Sequence, residues 1–378
     1  MSQHHLHSAL ARSFTQRDIN KMSDTEIHAC FRLARWGSDT EQGCPRCGSF
    51  RQHNRRKHDR WRCADCGHEF SVTSGTLLHS RKLPLREILL LAMTYECGAK
   101  GTPILHTSRA TGVTPKTAQV FNGKVRESLI KNHSLSPLAG SVVHMDGGYF
   151  CGKPRRPRVR MRPTAEAIEQ KLQASTSGAR PRPWATAGIT RLNWMKRKNR
   201  RVVIAMCQSA GIGHGSNRVI PVICGAESEE FVRRAADAFI DRNATVMTDE
   251  AVGFTALDEK WTHETVCHKD EYATIEGVSD NMCETFFSRL RQLERVNRGM
   301  RPKYLQDYSI DAAWREENRK LSQRERVEAL LKLLLTSKPS AWWRGYWQGR
   351  HRKGELGLED MIALAAARNP DGSDLSVN

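Results

Sequence analysis

A chain of 378 residues with 60 Lys and Arg against 41 Asp and Glu carries a formal charge of +19. It is long enough for two or three domains, and its charge favours a polyanionic partner bound in a salt-dependent way. The longest apolar runs, Ile88 to Met93 and Leu330 to Leu335, are too short to span a bilayer. The N-terminus MSQHHLHSALARSF lacks the apolar core of a secretory signal. Nucleic acid is therefore preferred over a membrane surface, and a cytoplasmic, nucleoid-associated location is expected. Eleven Cys, an odd number in no regular framework, point to reduced thiols and a metal site.

Residues 1 to 40 read as a partly disordered extension carrying His4, His5 and His7, followed by a helix from Thr25 to Trp36. Residues 41 to 78 contain Cys44-Pro-Arg-Cys47 and Cys63-Ala-Asp-Cys66, a C-x2-C-x15-C-x2-C spacing that suits tetrahedral structural Zn²⁺. Gly48 and Gly67 end the two knuckles and let backbone amides face the thiolates. The arm between them includes Arg55, Arg56 and Lys57, candidates for DNA phosphate, with a solvated basic loop as the alternative.

From residue 79 to 135 the pattern is helical. Leu85 to Tyr95 is almost wholly apolar, and Pro103 to Ala110 and Pro115 to Leu129 read as helices joined by Thr111-Gly112-Val113-Thr114. The short Gly-containing turn fits a helix-turn-helix whose second helix offers Lys116, Gln119 and Lys124 to DNA; an ordinary helical hairpin fits it too.

Residues 136 to 320 alternate strand and helix patterns. Ser141 to Phe150 is a strand-like run containing Asp146, and Ala244 to Asp249 is a short buried strand ending in a carboxylate. Between them, a basic insertion at about 153 to 201 is rich in Lys, Arg and Pro. Only Glu166 and Glu169 balance its charge, and Arg197 and Arg200 near its end are candidate phosphate contacts. Arg201 to Cys207 and Arg218 to Cys224 read as strands and Glu227 to Ile240 as a helix.

Val278 to Pro302 reads as an amphipathic helix with Asp280 as N-cap. Cys283, Phe286, Phe287, Leu290 and Leu293 make its apolar stripe, and Asn281, Glu284, Ser288 and Arg291 the opposite face. Arg298, just beyond, is a further candidate DNA contact. His263 and His268 read as structural or surface residues, with proton transfer as the alternative. Residues 321 to 378 form a helical tail in which the rings of Trp342-Trp343-Arg344-Gly345-Tyr346-Trp347 pack on the core or on another subunit, base stacking being the rival reading. Asp146, Asp249 and Glu284 are hard oxygen donors of the kind that hold divalent cations for phosphoryl transfer.

The motifs CPRCGS at Cys44 to Ser49, WRCADCGHEFSVTSGT at Trp61 to Thr76, MDGGYFCGK at Met145 to Lys153, TDEAVGF at Thr248 to Phe254 and DNMCETFFSRLR at Asp280 to Arg291 resemble, in order and spacing, the zinc-ribbon subgroup of bacterial DDE-type insertion-sequence transposases. The resemblance implies an α/β fold, α+β overall: an RNase H-like mixed sheet flanked by helices, preceded by a zinc ribbon and a helix-turn-helix-like segment. It implies Asp146, Asp249 and Glu284 as ligands of two Mg²⁺ (or Mn²⁺) ions, with Asn281 the alternative third ligand and Arg291 the basic residue that follows. It also implies double-stranded DNA, both element ends and target, as partner, and at least a homodimer. The competing readings are a catalytically inactive DNA-binding regulator and a metal-dependent nuclease that does not join ends.

Overall fold

The computed structural model describes residues 8–9, 13–55, 60–98, 100–140, 142–152, 165–166, 169–170, 188, 190–211, 214–266 and 281–368. Arg56, Lys57, His268, Asp280 and most of the basic insertion lie outside the described residues, and Arg55 and Asn281 are described as backbone.

Helices α1 (Gln16–Lys21) and α2 (Asp24–Trp36) each begin with a capping box, Thr15 with Asp18 and Ser23 with Glu26. The ribbon follows as β1 (Gln52–Arg55), β2 (Arg60–Cys63) and β3 (Glu69–Ser71) in one antiparallel sheet. Trp36 of α2 meets Trp61 edge-on at 5.5 Å, and Trp61 stacks on Phe70 at 5.8 Å. Arg35 donates to the carbonyls of Ser71, Val72 and Ser74. Helix α2 is thereby fastened to the ribbon rather than belonging to a loose extension.

Helices α3 (Leu85–Cys97), α4 (Ile104–Thr111) and α5 (Pro115–Asn132) follow. Gly112 ends α4 in the left-handed region and Thr114 caps α5, with Pro115 in its first turn, so the chain turns within three residues. Helix α3 is buried along most of its length, and α5 is buried from Phe121 to Gly123 and again from Val125 to Ile130.

The second sheet has five strands: β4 (Val142–Phe150), β5 (Arg201–Ser209), β6 (Ser216–Cys224), β7 (Thr245–Asp249) and β8 (Thr262–Val266), in the order β6-β5-β4-β7-β8. β4, β5 and β6 form an antiparallel meander, while β7 runs parallel to β4 and β8 parallel to β7. This is the RNase H-like mixed sheet. Helix α6 (Arg191–Asn199) precedes β5, and α7 (Glu229–Phe239) crosses from β6 to β7. Alternation along the strands sends Val143, Met145, Ile204 and Met206 into one core with Val232, Ala236 and Phe239 of α7. Val203, Ala205 and Cys207 face the other way, onto α8 (Asn281–Val296) and α9 (Leu305–Glu317).

Helix α9 lies between β6 and α5 and so joins the sheet to the helical unit. Helix α10 (Gln323–Thr336) buries Leu330, Leu331, Leu334 and Leu335 and packs on α2, α3 and α5, and α11 (Leu358–Arg368) closes the described chain against β6 and α7. The C-terminal region is thus an integral wall of the helical unit. No helix among the described residues is long and apolar enough to cross a membrane.

Candidate active site and metal centre

The parallel pairing of β4 with β7 sets Val142 against Thr245, Val143 against Val246 and His144 against Met247. The pairing ends there, two residues short of Asp146 and Asp249, which the same offset would set level. In a parallel pair, level residues point to the same side of the sheet. That side is the one covered by α8, because Gly148, two residues after Asp146, has so little room above it that a Cβ would lie 2.8 Å from the Phe287 ring. Cys283 of α8 donates through its thiol to the carbonyl of Ala205 at 3.5 Å, and Ala205 is the residue paired with Asp146 across β4 and β5.

Both aspartates are half-buried and held locally. Asp146 Oδ1 accepts from the Gly147 amide at 2.6 Å, and Asp249 Oδ1 accepts from the Ala251 amide at 3.1 Å. The strand end at Asp249 is clamped further: Thr248 donates its hydroxyl to the Asp249 carbonyl at 2.7 Å, and the His263 ring bridges Thr248 Oγ1 at 2.8 Å and Asp258 Oδ1 at 2.5 Å. His263 therefore holds the strand end, as its structural reading anticipates.

Helix α8 has the two faces its periodicity predicts. Cys283, Phe286, Phe287, Leu290 and Leu293 are buried, and Glu284, Ser288 and Arg291 are exposed. Arg291 lies 5.7 Å from the Phe150 ring centroid and 5.9 Å from that of Phe287. It thus sits above the end of β4, two turns along α8 from Glu284. Among the described residues, the only group of three or more metal-ligating side chains with donor atoms within 4.8 Å of one another is Cys44, Cys47, Cys63 and Cys66. Asp146, Asp249 and Glu284 do not form such a group.

Glu227 is a further carboxylate close to Asp249 but on the face of the sheet opposite to Asp146 and α8, and sequence reasoning missed it by starting a helix at this residue. The helix begins at Glu229, which leaves Glu227 in the preceding loop, turned back over β4. A Cβ at Gly147 would lie 2.2 Å from Glu227 Oε1, and Tyr149 donates its hydroxyl to Oε2 at 3.0 Å. Burial raises the Glu227 pKa and the nearby negative charge of Asp249 raises it further, while the Tyr149 hydrogen bond lowers it. The sequence signal was available: Gly147 beside a candidate ligand, where only a missing side chain admits a second carboxylate.

The candidate DNA contacts fall into two groups. Arg197 on α6 and Arg200 just after it are exposed, and Arg200 lies 4.5 Å from the ring of Tyr149, which bonds Glu227 on the sheet face opposite Asp146. Arg298, beyond α8, is also exposed. On α5, Lys116 is exposed and Gln119 half-buried, whereas Lys124 lies among buried neighbours near Glu127 and Arg344, and its pKa is lowered by burial.

In the ribbon the Cys44 and Cys66 sulfurs are 3.6 Å apart and those of Cys47 and Cys63 3.5 Å. Tetrahedral Zn²⁺ with Zn–S near 2.3 Å requires S···S edges of roughly 3.8 Å. The cluster fits a structural zinc ion.

Two family descriptions match the chain: the ISXO2-like transposase domain over residues 137–317 and the transposase zinc-ribbon domain over residues 22–69. The second match begins before α2, in agreement with the packing of that helix on the ribbon. No curated protein and no solved structure gives a significant match. The order of the two domains, the five-stranded RNase H-like sheet and the four-cysteine cluster agree with one another, and the chain belongs to the zinc-ribbon DDE transposases of insertion sequences.

Proposed function

We propose that the chain is an active DNA transposase that hydrolyses the phosphodiester at the ends of its element and joins the exposed 3′-hydroxyl to target DNA. The observation that supports this reading is the β4–β7 register, whose offset would set Asp146 level with Asp249 on the sheet face covered by α8. Half-buried and exposed carboxylates from two strands and a helix are the oxygen donors that Mg²⁺ or Mn²⁺ prefers, and they leave room for water and phosphate. Asp146, Asp249 and Glu284 would hold the ions, with Asn281 the alternative to Glu284. When bound, two such ions supply activation of the attacking oxygen and stabilisation of the leaving oxygen.

The chain's own residues do the rest. The Gly147 and Ala251 amides fix the two aspartates before DNA arrives, which lowers the cost of assembling the site. Arg291 offers a charge-assisted donor to a phosphate lying along α8, and cannot act as an acid there. Arg197, Arg200 and Arg298 would hold the flanking backbone by charge. Zn²⁺ on the four cysteines would keep the ribbon folded. Working on two element ends together calls for at least a homodimer.

The test is cleavage and joining of a labelled fragment containing the DNA that flanks the coding sequence, in Mg²⁺ and in EDTA, by wild type, Glu284→Gln and Asn281→Ala. The expected result is metal-dependent 3′-end cleavage and joining that Glu284→Gln abolishes and Asn281→Ala retains. Loss only in Asn281→Ala transfers the ligand role to Asn281. Cleavage without joining makes the protein a nuclease, and binding without cleavage a regulator.

A further inference from the structure

The C-terminal segment from Ala341 to Gly354 contains Arg344, Arg350, Arg352 and Lys353 and no acidic residue. Its aromatic residues divide into an anchor and a tip. Trp343 is buried against α5 at Gly123, where a Cβ would come within 2.1 Å of the indole, and it stacks on Tyr346 with centroids 4.6 Å apart. Gly345 and Gly349, with φ of 76° and 82°, bracket the single turn Tyr346–Gln348. That turn is closed by the Arg350 amide donating to the Gly345 carbonyl at 3.0 Å and the Gly349 amide to that of Tyr346 at 3.2 Å. Left-handed backbone at both ends makes the loop tight, and the stacked anchor fixes it on α5.

At the tip stands Trp347, 49% exposed, with one edge against Tyr346 at 5.5 Å and 83°. The Lys116 ammonium lies 5.2 Å from its ring centroid. Lys116 belongs to the exposed first turn of α5, and most of that helix beyond it is buried. The segment buries the Trp343 indole, half-buries that of Trp342 and holds that of Trp347 in water, beside the part of α5 that is open to a ligand and near the exposed Arg344 and Arg350, while Arg352 is paired with Asp307. A surface of this kind suits a partner with phosphates and flat aromatic faces. In a closed duplex those faces are covered by their neighbours, so the base must be splayed out.

Building on the DNA-binding reading above, we propose that Trp347 and Lys116 form a nucleic-acid contact in which the indole stacks on a base splayed from the end of the DNA whose duplex part meets the first turn of α5.

Equilibrium binding tests this with a duplex from the DNA flanking the coding sequence, blunt or extended by a single-stranded run of thymidines, for wild type, Trp347→Ala and Trp347→Phe. Wild type should prefer the extended probe, and Trp347→Ala should lose about tenfold in affinity for it. The slope of affinity against salt should stay unchanged, because an indole neutralises no phosphate. Trp347→Phe, which keeps a stacking ring, should stay close to wild type, and the melting temperature should be the same for all three proteins. Equal affinity of wild type and Trp347→Ala for the extended probe would overturn the proposal alone, as would Trp347→Phe binding as weakly as Trp347→Ala. Absence of DNA binding by the wild type would overturn it together with the transposase reading.

Discussion

Arg126 of α5 and Asp311 of α9 meet in the interior with Nε and Oδ2 3.4 Å apart, both side chains nearly inaccessible to water. The same carboxylate accepts from the Tyr95 hydroxyl of α3 at 2.6 Å and from Arg315 Nε at 2.9 Å. The Arg126 guanidinium also lies 4.1 Å from the ring centroid of Tyr308. One buried charge thus ties α3 and α5 to the helix that backs the five-stranded sheet. Asp311→Asn leaves two buried guanidinium groups facing a neutral acceptor and should destabilise the protein by about 3–5 kcal/mol in urea unfolding. Replacing Arg126 and Asp311 together by apolar residues should cost less than Asp311→Asn alone, since no uncompensated charge from that pair remains.

The zinc ribbon should be separable from the catalytic sheet. Cys63→Ser, or a chelator strong enough to remove Zn²⁺, should abolish hydrogen-exchange protection in β1 to β3 while β4 to β8 remain protected, because the ribbon's own core is little more than Trp61 and Phe70 against Trp36. Equal loss of protection in both sheets would count against this division.

Glu227 lies on the sheet face opposite Asp146 and should affect the metal only through its charge beside Asp249, with little effect on the fold. Glu227→Gln keeps an acceptor for the Tyr149 hydroxyl but removes the negative charge beside Asp249. We expect the Mg²⁺ concentration for half-maximal cleavage to rise by about tenfold, with melting temperature unchanged. Gly147→Ala should act in the same direction, because the new methyl group would displace the Glu227 carboxylate.

Glu317 gives a pH signature. Its Oε1 accepts from the Val219 amide at 2.9 Å, and burial pushes its pKa up to about 7. The folded state therefore holds a proton that the unfolded state releases above its ordinary carboxylate range. Stability from this group is full at low pH and declines as pH rises toward about 7. His133, whose pKa burial lowers to about 4, works in the opposite direction over an overlapping range. Glu317→Gln should gain on the order of 1–3 kcal/mol over wild type at pH 8 and nothing at pH 4, measured by urea unfolding at both.

Local chemistry alone was enough to read several features. Two Cys pairs at matched spacing mark the ribbon because tetrahedral coordination needs only short-range geometry within each knuckle. The stripe from Cys283 to Leu293 marks α8 and its exposed Glu284 and Arg291 because a 3.6-residue period sorts side chains by face. The period-2 pattern likewise marks the strands that carry Asp146 and Asp249, although only Asp249 stands at a strand end and Asp146 lies in the middle of β4.

Tertiary structure decided what depends on residues far apart in sequence. The level placement of Asp146 and Asp249 is a property of inter-strand register, which neither strand encodes alone. Glu227 comes close to Asp249 because a loop after β6 folds over Gly147 on the face opposite Asp146, a contact across eighty residues. Lys124 has the charge of a DNA contact, yet the burial of α5 against other helices turns it inward. Trp343 and Trp347 are the same residue type four positions apart; only the packing of Gly123 and the left-handed Gly345 and Gly349 makes one an anchor and leaves the other exposed. Composition and period determine which residues can be buried or charged, while the free energy of long-range packing determines which of them meet.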